Sequence, residues 1–196
     1  MFKSAIFFVI SLLVFVSACK QSKKQQDAKS IPIADTAKFY PLDNFIAEQM
    51  RYVDLRNFSI QKTISSDSFK SSKAIDKETF LIDASKILSV AKNFTKNKQL
   101  YKEVVYQDLS TDSYTINYTA INTTIPLQRI DILLSEATKI IKRVLLRVVN
   151  KANGIVTTQQ INWETDHQFQ YTISKEIEGK ITNEVILISW NKDSNK

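Results

Sequence analysis

From Tyr101 to Leu187 the apolar residues of this chain keep a period of two, and that rhythm restricts its second half to β-structure. Alternate residues of a strand share a face. Val104 and Tyr106, then Tyr114, Ile116 and Tyr118, then Ile130, Ile132 and Leu134 are therefore expected on one apolar side. Thr115, Asn117, Thr119 and Asp131 fall on the other. The run 140–149 carries Ile140, Val144, Leu146 and Val148 on one face, and Arg143 and Arg147 with Ile141, Leu145 and Val149 on the other. Apolar groups on both faces suit an interior strand. Ile155, Ile161 and Trp163, then Phe169, Tyr171, Ile173 and Ile177, then Val185 to Ile188 and Trp190 complete the series.

The joints between these segments predict antiparallel neighbours. The chain has only two glycines, in Asn153-Gly154 and Glu178-Gly179, and both fall between predicted strands, where a type I′ hairpin needs positive φ. Thr165-Asp166-His167, Ser110 to Ser113 and Asn122 to Pro126 supply further turns.

Before Tyr101 the period is helical. Pro41 suits a first helical turn, and Leu42, Phe45, Ile46, Met50 and Val53 recur at three- and four-residue steps to Leu55. Asp76 is placed to cap a second helix with Glu78 in its first turn; Phe80, Leu81, Ala84, Ile87, Leu88 and Ala91 form its stripe to about Lys92. Phe58, Ile60 and Ile64 predict a short strand between the two, and the Ser-rich segment 65–73 reads as a loop. The expected fold is α+β: two N-terminal helices packed on a curved antiparallel meander of about six or seven strands. A partly open barrel is the alternative.

Residues 1–19 have a different character. Lys3 precedes an unbroken apolar run from Ala5 to Val16, too short to span a bilayer, followed by Ser17-Ala18-Cys19. This resembles the lipobox signal peptide of bacterial lipoproteins, which implies cleavage before Cys19, acylation of its thiol with diacylglycerol and of its amine with a fatty acid such as palmitate, and a membrane-anchored product. Cys19 is the only cysteine, so once lipidated it leaves no thiol for a disulfide or a nucleophile. The expected organisation is a signal peptide at 1–18, a lipidated Cys19 and basic tether at 19–38, one domain at 39–192 and a short tail at 193–196. The tether is rich in Gln, Ser and Lys. Lys20, Lys23, Lys24 and Lys29 against Asp27 concentrate there much of the formal +7 charge. Elsewhere acids and bases are mixed, so no basic stripe points to nucleic acid.

Catalytic motifs are scarce. With two glycines the chain has no Walker loop, dinucleotide fingerprint or nucleophile elbow. His167 is the single histidine, in a predicted turn, so a histidine-based metal triad is excluded. Asp108, Asp112 and Asp131 are the candidates for a carboxylate pair, though turn and surface-strand positions account for them as well. Trp163 and Trp190 read as core anchors. The Asn-x-Ser/Thr triplets at Asn57, Asn93, Asn117 and Asn122 carry little meaning in a bacterial lipoprotein. Asp35-Thr36-Ala37 resembles the short acceptor motif of general O-glycosylation in some diderm bacteria, which marks Thr36 for modification.

The order of helices and strands, with Ile161-Asn162-Trp163 and Ile188-Ser189-Trp190-Asn191 in the closing meander, resembles small uncharacterised outer-membrane lipoproteins of diderm bacteria. That resemblance implies an envelope protein. Lys20 stands where an Asp would retain a lipoprotein at the inner membrane, and the basic tether lacks a surface-export acidic tract. Both favour the periplasmic face of the outer membrane. No cofactor, metal or enzymatic activity is expected. One functional expectation is a binding or scaffold module for a protein or glycan, using polar strand residues such as Thr157, Thr158, Gln159 and Gln160. The other is a carrier of lipid or another apolar ligand, resembling the half-barrel lipoprotein-sorting carriers, and it requires an apolar cavity of roughly 300 to 1,000 Å³.

Anchor and domain are energetically separate, since buried acyl methylenes supply about 0.8 kcal/mol each without help from the fold. Replacing Cys19 by Ser should abolish palmitate incorporation and membrane retention and leave the circular dichroism spectrum unchanged. Radiolabel entering the variant would contradict the lipobox assignment.

Overall fold

The computed structural model describes residues 39–190. The proposed leader, Cys19, the tether with Thr36, and the tail lie outside them. The chain forms α1 (Leu42–Asp54), β1 (Ile60–Ser66), β2 (Phe69–Ile75), α2 (Lys77–Lys96) and a short 3-10 turn, then β3 (Tyr101–Asp108), β4 (Ser113–Ala120), β5 (Leu127–Ser135), β6 (Ile141–Ala152), β7 (Ile155–Glu164), β8 (Gln168–Ile177) and β9 (Lys180–Ser189).

All nine strands join one antiparallel sheet in the order β2-β1-β9-β8-β7-β6-β5-β4-β3. The α+β class holds, but there are nine strands rather than six or seven, and the sheet is open rather than closed. The discrepancy comes from the first hairpin. β1 pairs with β9 through Gln61 to Ser66, and the segment expected to be a Ser-rich loop instead contains β2, the outermost strand. An edge strand exposed on both faces has no reason to alternate apolar and polar residues, and Phe69 to Ala74 are all exposed.

In β3 and at the start of β6 the buried face runs in the opposite phase to the expected alternation. Tyr101 and Val105 of β3 share the inner, helix-facing side with Ile116 and Tyr118, and Val104 turns outward. In β6 a register shift opposite Leu133 and Leu134 inserts one residue. This bulge buries Ile141 at 3 % exposure and leaves Ile140 62 % exposed, the reverse of the expectation.

The helix ends follow local chemistry. Pro41 sits one residue before the first helical residue, and the Asp76 carboxylate accepts the Thr79 N–H at 2.8 Å, relieving one unsatisfied donor of the first turn. α2 runs four residues past Lys92, because Phe94 is buried beneath it.

The helices are antiparallel and tied at both ends: the Thr95 hydroxyl donates to Asp43 at 2.9 Å, and the Lys77 ammonium donates to the Asp54 carbonyl at 2.6 Å. α2 crosses the sheet as a diagonal. At its start Phe80 packs on Phe169 and edge-on against Trp190, with centroids 5.8 and 5.2 Å away. Near its end Phe94 meets Tyr101 and Tyr118 at 5.0 and 4.9 Å, across the sheet on β3 and β4. Between these anchors Ala84 and Ala91 are fully buried, and their small side chains let the helix lie close to the strands.

α1 fills one side of this diagonal. Tyr40 N–H donates to the Tyr118 hydroxyl at 2.8 Å, and Gln49 reaches the β7–β8 turn, where its carbonyl accepts from Asp166 N–H at 2.8 Å and its amide donates to the Asp166 carboxylate at 3.0 Å. Trp163, stacked on Phe169 at 4.9 Å, and Trp190 are both buried in the core as expected.

Both glycine turns have the type I′ form: Asn153 and Gly154 at φ 51° and 77°, Glu178 and Gly179 at 51° and 78°. A Cβ at either glycine meets nothing within 4 Å, so substitution strains only the backbone. Gly154→Ala and Gly179→Ala should each lower stability by about 1 to 2 kcal/mol, equally within error, as read from urea unfolding midpoints.

Candidate functional site: a hollow beside the second helix

The other side of the diagonal is not filled by any element among the described residues. Beyond α2, the inner face of β7, β8 and β9 runs on toward the turns at 152–155 and 177–180 through half-buried Gln159 and Ile173 to exposed Lys175 and Ile177. Where helix and uncovered sheet meet there is a half-open cavity of about 300 Å³. Asp83, Lys86 and Val90, spaced by three and four residues and so on one flank of α2, form its helical wall. Ile161, Ile173 and Ile186 with Tyr171 and Gln159 form its floor. Registers Ile161↔Tyr171, Gln159↔Ile173 and Tyr171↔Ile186 make the floor one continuous patch.

The wall is polar at one point only. The Asp83 side chain is 10 % exposed and receives two ammonium groups, Lys62 of β1 at 2.6 Å and Lys86 at 2.7 Å. Burial pushes the Asp83 carboxyl up, but the hydrogen bonds and charges of the two lysines outweigh it and hold the pKa below the usual carboxylate range. The Tyr171 hydroxyl donates to the Asp83 backbone carbonyl at 3.0 Å, and burial, aided by the Asp83 charge, raises its pKa. Tyr171 thus stays neutral, closing the floor with its ring and the helix joint with its hydroxyl.

The expected carboxylate pair does not assemble. Asp108 caps its own turn, accepting from the Ser110 N–H and hydroxyl at 2.9 and 2.6 Å, contacts that lower its pKa. Asp112 holds a positive-φ turn position and its carbonyl accepts the Glu136 N–H at 2.9 Å. Asp131 lies on the outer face, bonded to Arg129 at 2.7 Å and Asn117 at 2.7 Å. Asp108 pairs with Ser113 and Asp131 with Asn117, four residues along β4, which is about 13 Å of strand. His167 is exposed in the β7–β8 turn, where its carbonyl accepts the Trp190 N–H at 3.0 Å. Among the described residues no group of three or more His, Cys, Asp or Glu is arranged to hold a metal ion. Thr157 and Gln159 lie on the inner face, whereas Thr158 and Gln160 lie on the outer one, so these four do not form a single patch.

Sequence reasoning found the floor as core alternation but missed Lys62, Asp83 and Lys86. Asp83 does interrupt the apolar stripe of α2, one turn after Phe80, and that interruption was the available sign. No family model, no curated protein and no solved structure matches this chain.

The sign of the Asp83 shift dictates a pH dependence. A carboxyl whose folded pKa is depressed contributes stability above its unfolded pKa, and that contribution disappears as pH falls through the folded value. Asp83→Asn should therefore destabilise by about 1 to 3 kcal/mol at neutral pH, leaving two lysines without their carboxylate. The gap from the unsubstituted protein should close below the carboxylate range, as thermal melts across pH will show.

Proposed function

We propose that this chain is a non-enzymatic envelope lipoprotein, anchored through acylated Cys19 to the periplasmic face of the outer membrane, whose domain binds the apolar chain of an amphiphilic ligand in the hollow beside α2. The observation that carries the binding reading is the hollow itself: about 300 Å³, mainly apolar and open on one side. A side chain facing a void lacks the partners that elsewhere reward burial, so Ile173 and Ile186 remain only half-buried although they belong to the inner face. An alkyl chain laid on them would supply those contacts. The sequence supports the anchor through the lipobox residues and the tether through its Gln/Ser/Lys composition, with Thr36 as a glycan acceptor within it.

A scaffold role toward a protein or glycan is less well supported, since the polar residues that suggested it are split between two faces. Filling the hollow tests the proposal directly. Ile173→Trp should add bulk over the floor and reduce dodecanol binding, measured by calorimetry, at least tenfold, while the melting temperature stays level or rises, because the ring gains contacts now missing. Unchanged binding in a folded variant would place the ligand elsewhere; no binding by the unsubstituted domain would remove the apolar-chain reading.

A further inference from the structure

At the wall of the hollow the Asp83 carboxylate meets two ammonium groups, and they are not equivalent. Lys62 comes from β1, is 17 % exposed, and its 2.6 Å bond to Asp83 Oδ2 joins sheet to helix. Lys86 is 63 % exposed, bonds the other oxygen at 2.7 Å from one helical turn away, and lines the cavity itself. A single negative charge faces two positive ones. Lys62 alone suffices to neutralise Asp83, so Lys86 carries the surplus charge at the boundary between apolar floor and solvent. On the same inner face Glu184 pairs with Ile173 beside the floor and Lys175 lies one step farther out, one charge of each sign, so the formal sum of charge around the hollow stays at one positive. Gln159 adds an amide donor on the floor.

From this arrangement we infer that the hollow selects an anionic amphiphile: an alkyl chain lies on Ile161, Ile173 and Ile186, and a terminal carboxylate or phosphate monoester pairs with Lys86. The inference rests on the apolar-chain reading of the hollow and goes further by assigning the charge of the ligand. Asp83 has a defined part in it. Without the Lys62 bond, the carboxylate would claim Lys86 and repel an anion; with it, Lys86 can swing from Asp83 to the ligand at little cost, since exposed ion pairs are individually weak. Lys86 is a headgroup ligand and Lys62 a positioning residue.

Titration calorimetry with lauric acid and dodecyl phosphate below their micelle concentrations, and with dodecanol below its solubility limit, tests this. The unsubstituted domain should bind the anions about three- to tenfold more tightly than the alcohol, the gain of one partly exposed charge-assisted hydrogen bond. The preference should shrink as salt is raised. Lys86→Met should remove the preference, and Lys86→Arg should restore it. Whichever anion binds more tightly identifies the headgroup as fatty acid or phosphate ester. Equal affinity for acid and alcohol in the unsubstituted domain would overturn the charge inference while leaving the hollow as an apolar site. Failure of all three probes would remove the site together with the inference. A preference surviving in a folded Lys86→Met domain would also overturn it, because the charge would then be read elsewhere.

Discussion

The structure depends on the docking of one twenty-residue helix across the sheet by two aromatic clusters. Phe80 with Phe169, Trp190 and Trp163 holds its start, and Phe94 with Tyr101, Tyr118 and Phe39 holds its end. Fully burying each such ring is worth about 1.5 to 3 kcal/mol, and favourable ring geometry adds about 0.5 to 1.5 kcal/mol per pair. No loop contact competes with that. Because one cluster sits on β7 to β9 beside the 164–168 turn and the other on β3 and β4 at the opposite end of the strands, the helix has to lie diagonally. α1 runs antiparallel beside it, tied by Gln49 to the turn after Trp163.

A diagonal helix divides the inner face into two triangles, and among the described residues one further helix covers part of it. α1 covers the side toward the 135–140 turn. The side toward 152–155 and 177–180 keeps its floor of Ile161, Ile173 and Ile186 uncovered by any described element, and the hollow lies there. The Asp83 cluster lies there too. On the flank of α2 bordering this floor, a carboxylate can be mostly buried only if cations accompany it, and Lys62 arrives from β1 because the first hairpin adds to the sheet beside β9.

Legibility in the sequence tracked how strongly each residue's environment differs between its two sides. Strand β5 from Ile130 onward, β7 over 161–164 and β8 over 168–171 alternate buried and half-buried residues, and their period of two marks them plainly. Ser71, Ser72 and Lys73 of β2 meet solvent on both sides, so nothing in their order distinguishes strand from loop. Ile140 and Ile141 are two adjacent apolar residues of which a bulge buries only the second, a choice made by the pairing with Leu134. The cap at Asp76 and the two glycine turns were readable because their chemistry is local: a carboxylate bonding an N–H three residues on, and positive φ that glycine tolerates.

By itself the sequence determined the two helices, the short strand between them and the seven strands from β3 to β9 in their order, the hairpin turns, and the anchoring of Trp163 and Trp190 in the core, each of which is written in residues close together along the chain. Only the tertiary structure decided that nine strands form one open sheet, that Asp108 and Asp131 stay apart, and that Lys62, Asp83 and Lys86 come together over an apolar floor. The physical reason is range. Periodicity and turn chemistry act over a few residues, whereas the contact between Tyr171 and Asp83 spans 88 positions and exists only once α2 has been laid across the sheet.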